Sequence, residues 1–154
     1  MKIGVISDTH GYFDPAIPSF FEGVEHILHA GDIGPSSIIH QLEAIAPVTA
    51  VLGNNDFSPE FRETETVEVA GFKFLLHHIV TPQALTEPLE RLVKAQQPHA
   101  VIFGHTHEPF QKVIGGCLFF NPGYSGRQRF SLRRSLGLLE VRQGRLHPKI
   151  NLLV

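Results

Sequence analysis

Five short apolar segments recur along the chain, and polar residues follow each one within two positions. The apolar segments are residues 2–7, 26–30, 47–52, 72–76 and 100–103. Near-continuous apolar runs of this length are typical of strands buried on both faces. Because ligands of layered α/β folds bind beyond the carboxyl ends of such strands, the pattern predicts one site assembled from five loops.

Segments in which apolar residues have helical spacing lie between several of these strands. A short helix is predicted from Asp14 to Phe21, and a second is predicted to begin at Pro35. A third should span roughly residues 82–97, with apolar side chains on one face and Pro98 at its end.

Three turn signals predict hairpins. Ala70-Gly71, Gly115-Gly116 and Gln143-Gly144 each separate two strand-like segments. The last third of the chain should therefore be rich in antiparallel strands. Together with the alternating first half, this predicts an α/β (α+β) fold, a four-layer αββα sandwich of two mixed sheets flanked by helices. No linker, repeat or low-complexity tract interrupts residues 1–154, which we expect to form one domain.

The composition mainly excludes classes of protein and of binding partner. The 154 residues are 42% hydrophobic and 18% charged, as is usual for a globular protein. A net charge of -2 gives no footprint for sequence-specific nucleic acid or for a membrane surface. No apolar stretch approaches the ~20 residues of a membrane span, and the chain enters a strand at once, so we expect a cytoplasmic protein. The lone Cys117 excludes a disulfide framework and should pack as a small hydrophobe.

The polar residues after the five strands suit metal binding as a set. They are Asp8 and His10, Asp32, Asn54 to Asp56, His77 and His78, and His105 and His107. Taken singly, the motifs at Asp8, Asp32 and Asn54 are better explained by turn chemistry, whereas the i, i+2 pair of His105 and His107 is more specific for metal than surface histidines would be. The recurrence of such motifs after five successive strands is what indicates a metal site. Carboxylate and imidazole ligands without thiolate suit manganese, iron, zinc, nickel or cobalt.

The same set suits two divalent ions. Ions about 3.5–4 Å apart repel, so an anionic ligand between them is favoured, and Asp32 is the expected bridge. Asn54 would add a neutral amide oxygen, which leaves the cluster positive enough to attract a phosphate. A hydroxide bridging both metals could then attack phosphorus in line.

The ordered motifs resemble the calcineurin-like metallophosphoesterase superfamily, and the short chain resembles its small bacterial and archaeal phosphodiesterases. Asn121-Pro122-Gly123 adds to this resemblance. It implies a phosphoesterase on an αββα sandwich, commonly assayed with manganese or nickel. It also implies two ligand sets, Asp8, His10, Asp32 and His107 for the first metal, and Asp32, Asn54, His77 and His105 for the second.

Two positions depart from the family pattern. The ligand asparagine is often followed by histidine, or by cysteine in the small phosphodiesterases, but here by Asn55, whose amide cannot act as an acid. The metal histidine is usually followed by glycine, but here His77 is followed by His78. His78 is a candidate replacement acid, although in a continuing strand it would point away from His77. Asn55 and His78 are therefore the candidate catalytic residues.

Other residues are candidates for supporting roles. Asn54, Arg127 and Arg129 are candidate substrate-binding residues, although a solvated basic loop explains the two arginines equally well. His29 is expected to be a buried histidine that supports the loop before Asp32.

The leading hypothesis is a binuclear metal-dependent phosphodiesterase that cleaves P–O bonds of a small phosphoester or nucleotide, with manganese as the expected metal. Two alternatives stay open. One is a phosphomonoesterase or nucleotidase on the same site, and the other is a non-catalytic scaffold like the retromer subunit of this superfamily. The oligomeric state, a homo-oligomer included, is also open.

Overall fold

Ten strands and three helices make up the computed structural model, which describes residues 1–154. The strands are β1 (Lys2–Ile6), β2 (His26–His29), β3 (Val48–Ala50), β4 (Thr64–Val69), β5 (Phe72–His77), β6 (Ala100–Ile102), β7 (Phe110–Ile114), β8 (Cys117–Asn121), β9 (Arg134–Arg142) and β10 (Arg145–Leu153). The helices are α1 (Ile17–Phe20), α2 (Ser37–Glu43) and α3 (Glu87–Gln96).

The strands form two mixed sheets of five. In the first sheet, ordered β10-β9-β1-β2-β3, the strands β1, β2 and β3 are parallel, and β9 runs antiparallel to both β1 and β10. In the second, ordered β4-β5-β6-β8-β7, the central strands β5, β6 and β8 are parallel and the edge strands antiparallel. The predicted mixture of parallel and antiparallel strands is confirmed.

Three apolar clusters define the four layers. Ile3 and Val5 of β1 pack against Phe74 and Leu76 of β5 between the two sheets. A second cluster joins α1 and α2 to the outer face of the first sheet, and a third joins α3 to the outer face of the second sheet. Alternate residues of β5 thus face opposite layers, since Leu75 belongs to the outer cluster. The predicted αββα sandwich is confirmed.

The predicted turns are present, and each hairpin turn holds two residues at positive φ. For example, Ala70 and Gly71 have φ values of 55° and 81°. A pair of positive φ angles matches the twist of the adjoining strands in a two-residue hairpin.

The helices are shorter than the sequence predicts. The third begins at Glu87 rather than near residue 82, because Pro88 is tolerated only in the first turn of a helix. It ends before Gln97, whose φ of 48° is left-handed, and Pro98 follows. Cys117 is buried in β8, as expected, and burial raises the pKa of its thiol to about 11. No helix has both the length and the apolar character needed to cross a membrane.

Candidate metal centre

Loops from both sheets bring carboxylates and imidazoles together where β1, β2, β5 and β6 end. Two groups of side chains have ligand atoms within 4.8 Å of one another. One group is Asp8, His10 and His107, and the other is Asp8, Asp32 and His78. The five-loop pattern of the sequence therefore corresponds to one location in the fold.

The first predicted ligand set is brought together in full. His10 Nε2 lies 3.7 Å from Asp8 Oδ1 and 3.7 Å from Asp32 Oδ2. His107 Nε2 approaches Asp8 Oδ1 at 3.4 Å. Asp8 is fully buried and Asp32 almost so, whereas the two histidines reach the surface in part. These four residues could hold one metal ion.

His78, rather than His77, joins the second set. His78 Nε2 lies 3.4 Å from Asp32 Oδ2 and 3.8 Å from Asp8 Oδ1. The ring of His78 packs edge-on against that of His105, with centroids 5.3 Å apart, and His105 Nδ1 donates to Asn54 Oδ1 at 3.1 Å. Asp32 thus lies between a histidine of the first set and a histidine of the second.

The structure does not bring His77 into this cluster, which corrects the sequence-based assignment of a metal ligand. His77 hydrogen-bonds with Thr64 on the neighbouring strand at 2.8 Å between Nδ1 and Oγ1. The physical reason is strand alternation, because His78 follows Phe74 and Leu76 on the face toward the other sheet. Asp8 and Asp32, which follow strands of the first sheet, lie opposite this face of β5.

Three buried polar atoms at the centre have no hydrogen-bond partner. They are Asp8 Oδ1, His10 Nε2 and His78 Nε2. His78 Nδ1 must donate to the carbonyl oxygen of Ala30, 2.7 Å away, because that oxygen can only accept. In neutral His78 the lone pair of Nε2 therefore faces two carboxylates, which is unfavourable unless a cation lies between them. Carboxylate and imidazole donors oriented in this way fit a divalent metal ion.

The second carboxylate oxygen of Asp8 accepts hydrogen bonds from the protein. Asp8 Oδ2 accepts from Ser7 Oγ at 2.7 Å and from the backbone N–H of His105 at 3.1 Å. Burial by itself raises the pKa of Asp8, but His107, the Ser7 hydrogen bond and His78 together lower it below its ordinary value. Asp8 is therefore held in the charged form that binds a cation.

Asn55 contacts Asp32. Its backbone N–H donates to Asp32 Oδ1 and its side-chain Nδ2 donates to Asp32 Oδ2, both at 3.0 Å. The candidate catalytic residue Asn55 thus orients the carboxylate that lies between the two ligand sets.

Five candidate ligands have left-handed backbone conformations. The φ angles of Asp8, His10, Asp32, His105 and His107 lie between 46° and 74°. Such a conformation costs roughly 1–3 kcal/mol per residue outside glycine and clusters at functional sites. Asp and His are among the residues that tolerate it best.

Close backbone packing accompanies these conformations. A Cβ atom at Gly53 would lie 2.1 Å from Asp32 Oδ1, and one at Gly104 would lie 2.6 Å from Asp8 Oδ2. Only glycine leaves room for the carboxylates at these two positions, which explains why glycines precede Asn54 and His105.

His29 connects the first two ligand loops, in line with its expected supporting role. It is fully buried, and its Nδ1 accepts from the backbone N–H of Gly31 at 3.1 Å. Nε2 therefore carries the hydrogen and donates to Thr9 Oγ1 at 3.0 Å, and Thr9 donates to the carbonyl of Ile33 at 2.8 Å. Burial lowers the pKa of His29 to about 4, so the ring is neutral at pH 7.

Two residues have structural roles at the site that the sequence did not predict. The Asp56 carboxylate accepts from the backbone N–H groups of Ile33 at 3.0 Å and Gly53 at 2.8 Å. It joins the second and third ligand loops, and its place three residues after Gly53 in the polar turn was the available signal. Tyr124 is buried with its ring centroid 4.8 Å from that of His107, a contact without a signal in the sequence.

The predicted substrate-binding residues lie around this centre. Asn54, Arg127 and Arg129 are all exposed. The guanidinium carbon of Arg127 lies 4.8 Å from the ring centroid of Tyr12, and that of Arg129 lies 5.4 Å from the ring of Tyr124. The two arginines therefore stand on the side of the centre that holds His10 and His107.

Comparisons with known proteins identify the family of the chain. The family model described as the calcineurin-like phosphoesterase superfamily domain matches residues 1–144. A probable metallophosphoesterase from Methanothermobacter thermautotrophicus is 37% identical over 131 residues, covering 80% of this chain and 76% of the relative. A phosphodiesterase from Methanocaldococcus jannaschii is 32% identical over 142 residues, covering 80% of this chain and 83% of the relative.

Solved structures show the same fold. A structure described as a novel archaeal phosphodiesterase superposes with a TM-score of 0.74 at 26% identity, covering 98% of this chain and 100% of that one. A Vps29 variant from Entamoeba histolytica gives a TM-score of 0.77 at 23% identity, with both chains covered completely. At that identity, the likeness to Vps29 concerns the fold alone.

Proposed function

Since the chain belongs to the calcineurin-like phosphoesterase superfamily, we propose that it is a phosphodiesterase with a centre of two divalent metal ions. Family membership makes the chain a metallophosphoesterase, a hydrolase of phosphoesters. One observation carries the finer proposal. Asp32 Oδ2 lies between His10 Nε2 and His78 Nε2, two buried nitrogens without a hydrogen-bond partner. A carboxylate placed between two free imidazole nitrogens suits a bridge between two ions.

The proposed ligands combine the predicted sets with one replacement. Asp8, His10, Asp32 and His107 would hold the first ion. Asp32, Asn54, His78 and His105 would hold the second, with His78 in the place that the sequence analysis gave to His77. Manganese is the proposed metal, and nickel, iron, zinc and cobalt suit the same ligands.

The two candidate catalytic residues take different roles in this proposal. His78 Nδ1 is engaged by the carbonyl of Ala30 and its Nε2 faces the carboxylates, so no proton is available for a leaving group. Asn55 orients Asp32. When bound, the ions would supply Lewis-acid activation of the phosphate and of the attacking water. The chain itself contributes ligand orientation and an exposed Asn54 amide that can contact the substrate.

Two further findings support a diester rather than a monoester substrate. Two relatives, one in sequence and one in structure, carry the name phosphodiesterase at 32% and 26% identity. We also propose that residues 1–154 act as one domain, because the ligands come from both sheets and the sheets share one apolar cluster.

The test combines metal analysis with a pair of substrates. Metal-free protein reconstituted with manganese should hold close to two equivalents by elemental analysis, and should cleave bis(p-nitrophenyl) phosphate faster than p-nitrophenyl phosphate. Asp8→Asn, which keeps the side-chain volume and removes the charge, is the matched control for contaminating phosphatase. Failure to take up metal would refute the metal centre. Faster cleavage of the monoester would support the phosphomonoesterase alternative, and metal uptake without turnover of either ester would support the scaffold.

A further inference from the structure

The loop between β8 and β9 carries exposed arginines that the protein itself does not neutralise. Arg127, Arg129 and Arg133 are all exposed, and none of them forms an ion pair with a carboxylate. Arg134, at the base of the loop, differs. It is buried, pairs with Asp14 and donates from Nε to the carbonyl of Gly126 at 2.6 Å. The loop is thus held at its base while its outer guanidinium groups stay free.

Two of these arginines are positioned by aromatic rings that adjoin the metal centre. Arg127 stacks over Tyr12, which follows His10 by two residues, and Arg129 stacks over Tyr124. The ring of Tyr124 in turn lies 4.8 Å from that of His107. A guanidinium held by its face against an aromatic ring keeps its N–H donors at the edge, where they can bind a planar or tetrahedral anion.

We propose that Arg127 and Arg129 bind a second phosphate group of the substrate, so that the preferred substrates are phosphodiesters with a further phosphate on one of the esterified alcohols. This inference rests on the proposed phosphodiesterase function. A simple diester has one negative charge, which the metal centre would attract, and both arginines would then stay unpaired. A terminal phosphate has up to two charges and accepts paired N–H donors from each arginine.

A matched pair of chromogenic substrates tests this inference. The p-nitrophenyl ester of thymidine 5′-phosphate and the same ester with an added 3′-phosphate have identical reacting groups and leaving groups. The manganese-loaded protein should show a KM roughly tenfold lower for the 3′-phosphorylated ester, the combined effect of charge-assisted contacts from two exposed arginines that solvent screens in part. The ratio of kcat values should stay close to one, because the leaving group is the same.

Substitutions assign the effect to the two arginines. Arg127→Gln and Arg129→Gln should each reduce the preference for the 3′-phosphate, and the double variant should abolish it. Arg133→Gln is the matched control, since this arginine lies in the same loop without an aromatic partner, and its preference should equal that of the wild type. Equal KM values for the two esters in the wild type, or a preference that survives in the double variant, would overturn the inference.

A binding measurement separates this inference from the proposed activity. Titration calorimetry with thymidine 5′-phosphate and thymidine 3′,5′-bisphosphate measures binding at the arginine site, even if the protein hydrolyses neither of the two p-nitrophenyl esters. Tighter binding of the bisphosphate in the wild type, lost in the double variant, supports the arginine site whether or not the protein is a phosphodiesterase. Equal affinities for the two nucleotides would reject it.

Discussion

The buried ring of His29 should make the free energy of unfolding depend on pH in a defined window. In the fold its pKa is about 4, whereas an exposed histidine has a pKa near 6.5. Below pH 6.5 the unfolded chain therefore binds a proton that the folded chain does not accept. The contribution of His29 is fully present above pH 6.5, is lost as the pH falls from 6.5 to about 4, and changes no further below that value.

The size of the effect follows from the same pKa difference. Each pKa unit corresponds to about 1.4 kcal/mol, so the free energy of unfolding should fall by about 3 kcal/mol between pH 6.5 and pH 4. His29→Gln removes the titrating group and should lower the free energy of unfolding at pH 7 by about 2 kcal/mol, the loss of two buried hydrogen bonds. The two proteins should therefore converge to equal stability near pH 5 and, at pH 4, the variant should be the more stable by about 1 kcal/mol.

Urea unfolding of the metal-free protein, at steps of half a pH unit, measures this convergence. A chelator in every sample removes the pH dependence of metal binding, and subtraction of the His29→Gln curve removes the contributions of His26 and His77, whose pKa values are also lowered by burial. A constant difference between the two proteins from pH 7 to pH 4 would refute the inference that His29 is neutral in the fold.

Three further predictions concern the metal centre. His78→Ala should lose about one equivalent of manganese and His77→Ala should retain both, as elemental analysis can show; the opposite result would restore His77 as the ligand. Asp32→Ala should lose both ions and nearly all turnover, whereas His107→Ala should keep the second ion, and an Asp32→Ala protein with both ions would exclude the bridge. Since Asn55 contacts Asp32 and cannot act as an acid, aryl diesters should be cleaved at least ~10²-fold faster than alkyl diesters. Equal rates would reveal an acid elsewhere.

The strands and turns could be predicted from the sequence because their signals are local. Apolar runs of four to six residues correspond to β1, β2, β5 and β6. Glycine-containing turns such as Gly115-Gly116 occupy the positive φ angles that two-residue hairpins require. The predicted start of α3 near residue 82 was wrong, because Pro82 and Pro88 both suit the first turn of a helix and the second of them occupies that turn.

The sequence predicted the wrong one of two neighbouring histidines, His77 instead of His78, because the correct choice depends on packing between the sheets. Strand alternation places the two side chains on opposite faces of β5, but both faces of this strand are buried. No pattern in the sequence indicates which face of β5 packs against the other sheet. Packing of Phe74 and Leu76 against β1 decides it, and that packing places His78 opposite Asp8 and Asp32.

The sequence by itself determined the chemistry of the centre, because residue type, spacing and position after a strand are properties of short segments. It identified Asp8, Asp32 and His107 as candidate ligands and grouped their loops at one location. Tertiary structure alone decided which atoms face one another. The ring of Tyr124 against His107 and the Asp56 contact with Ile33 both join residues distant in the sequence. Such contacts depend on how the two sheets pack, which no local pattern encodes.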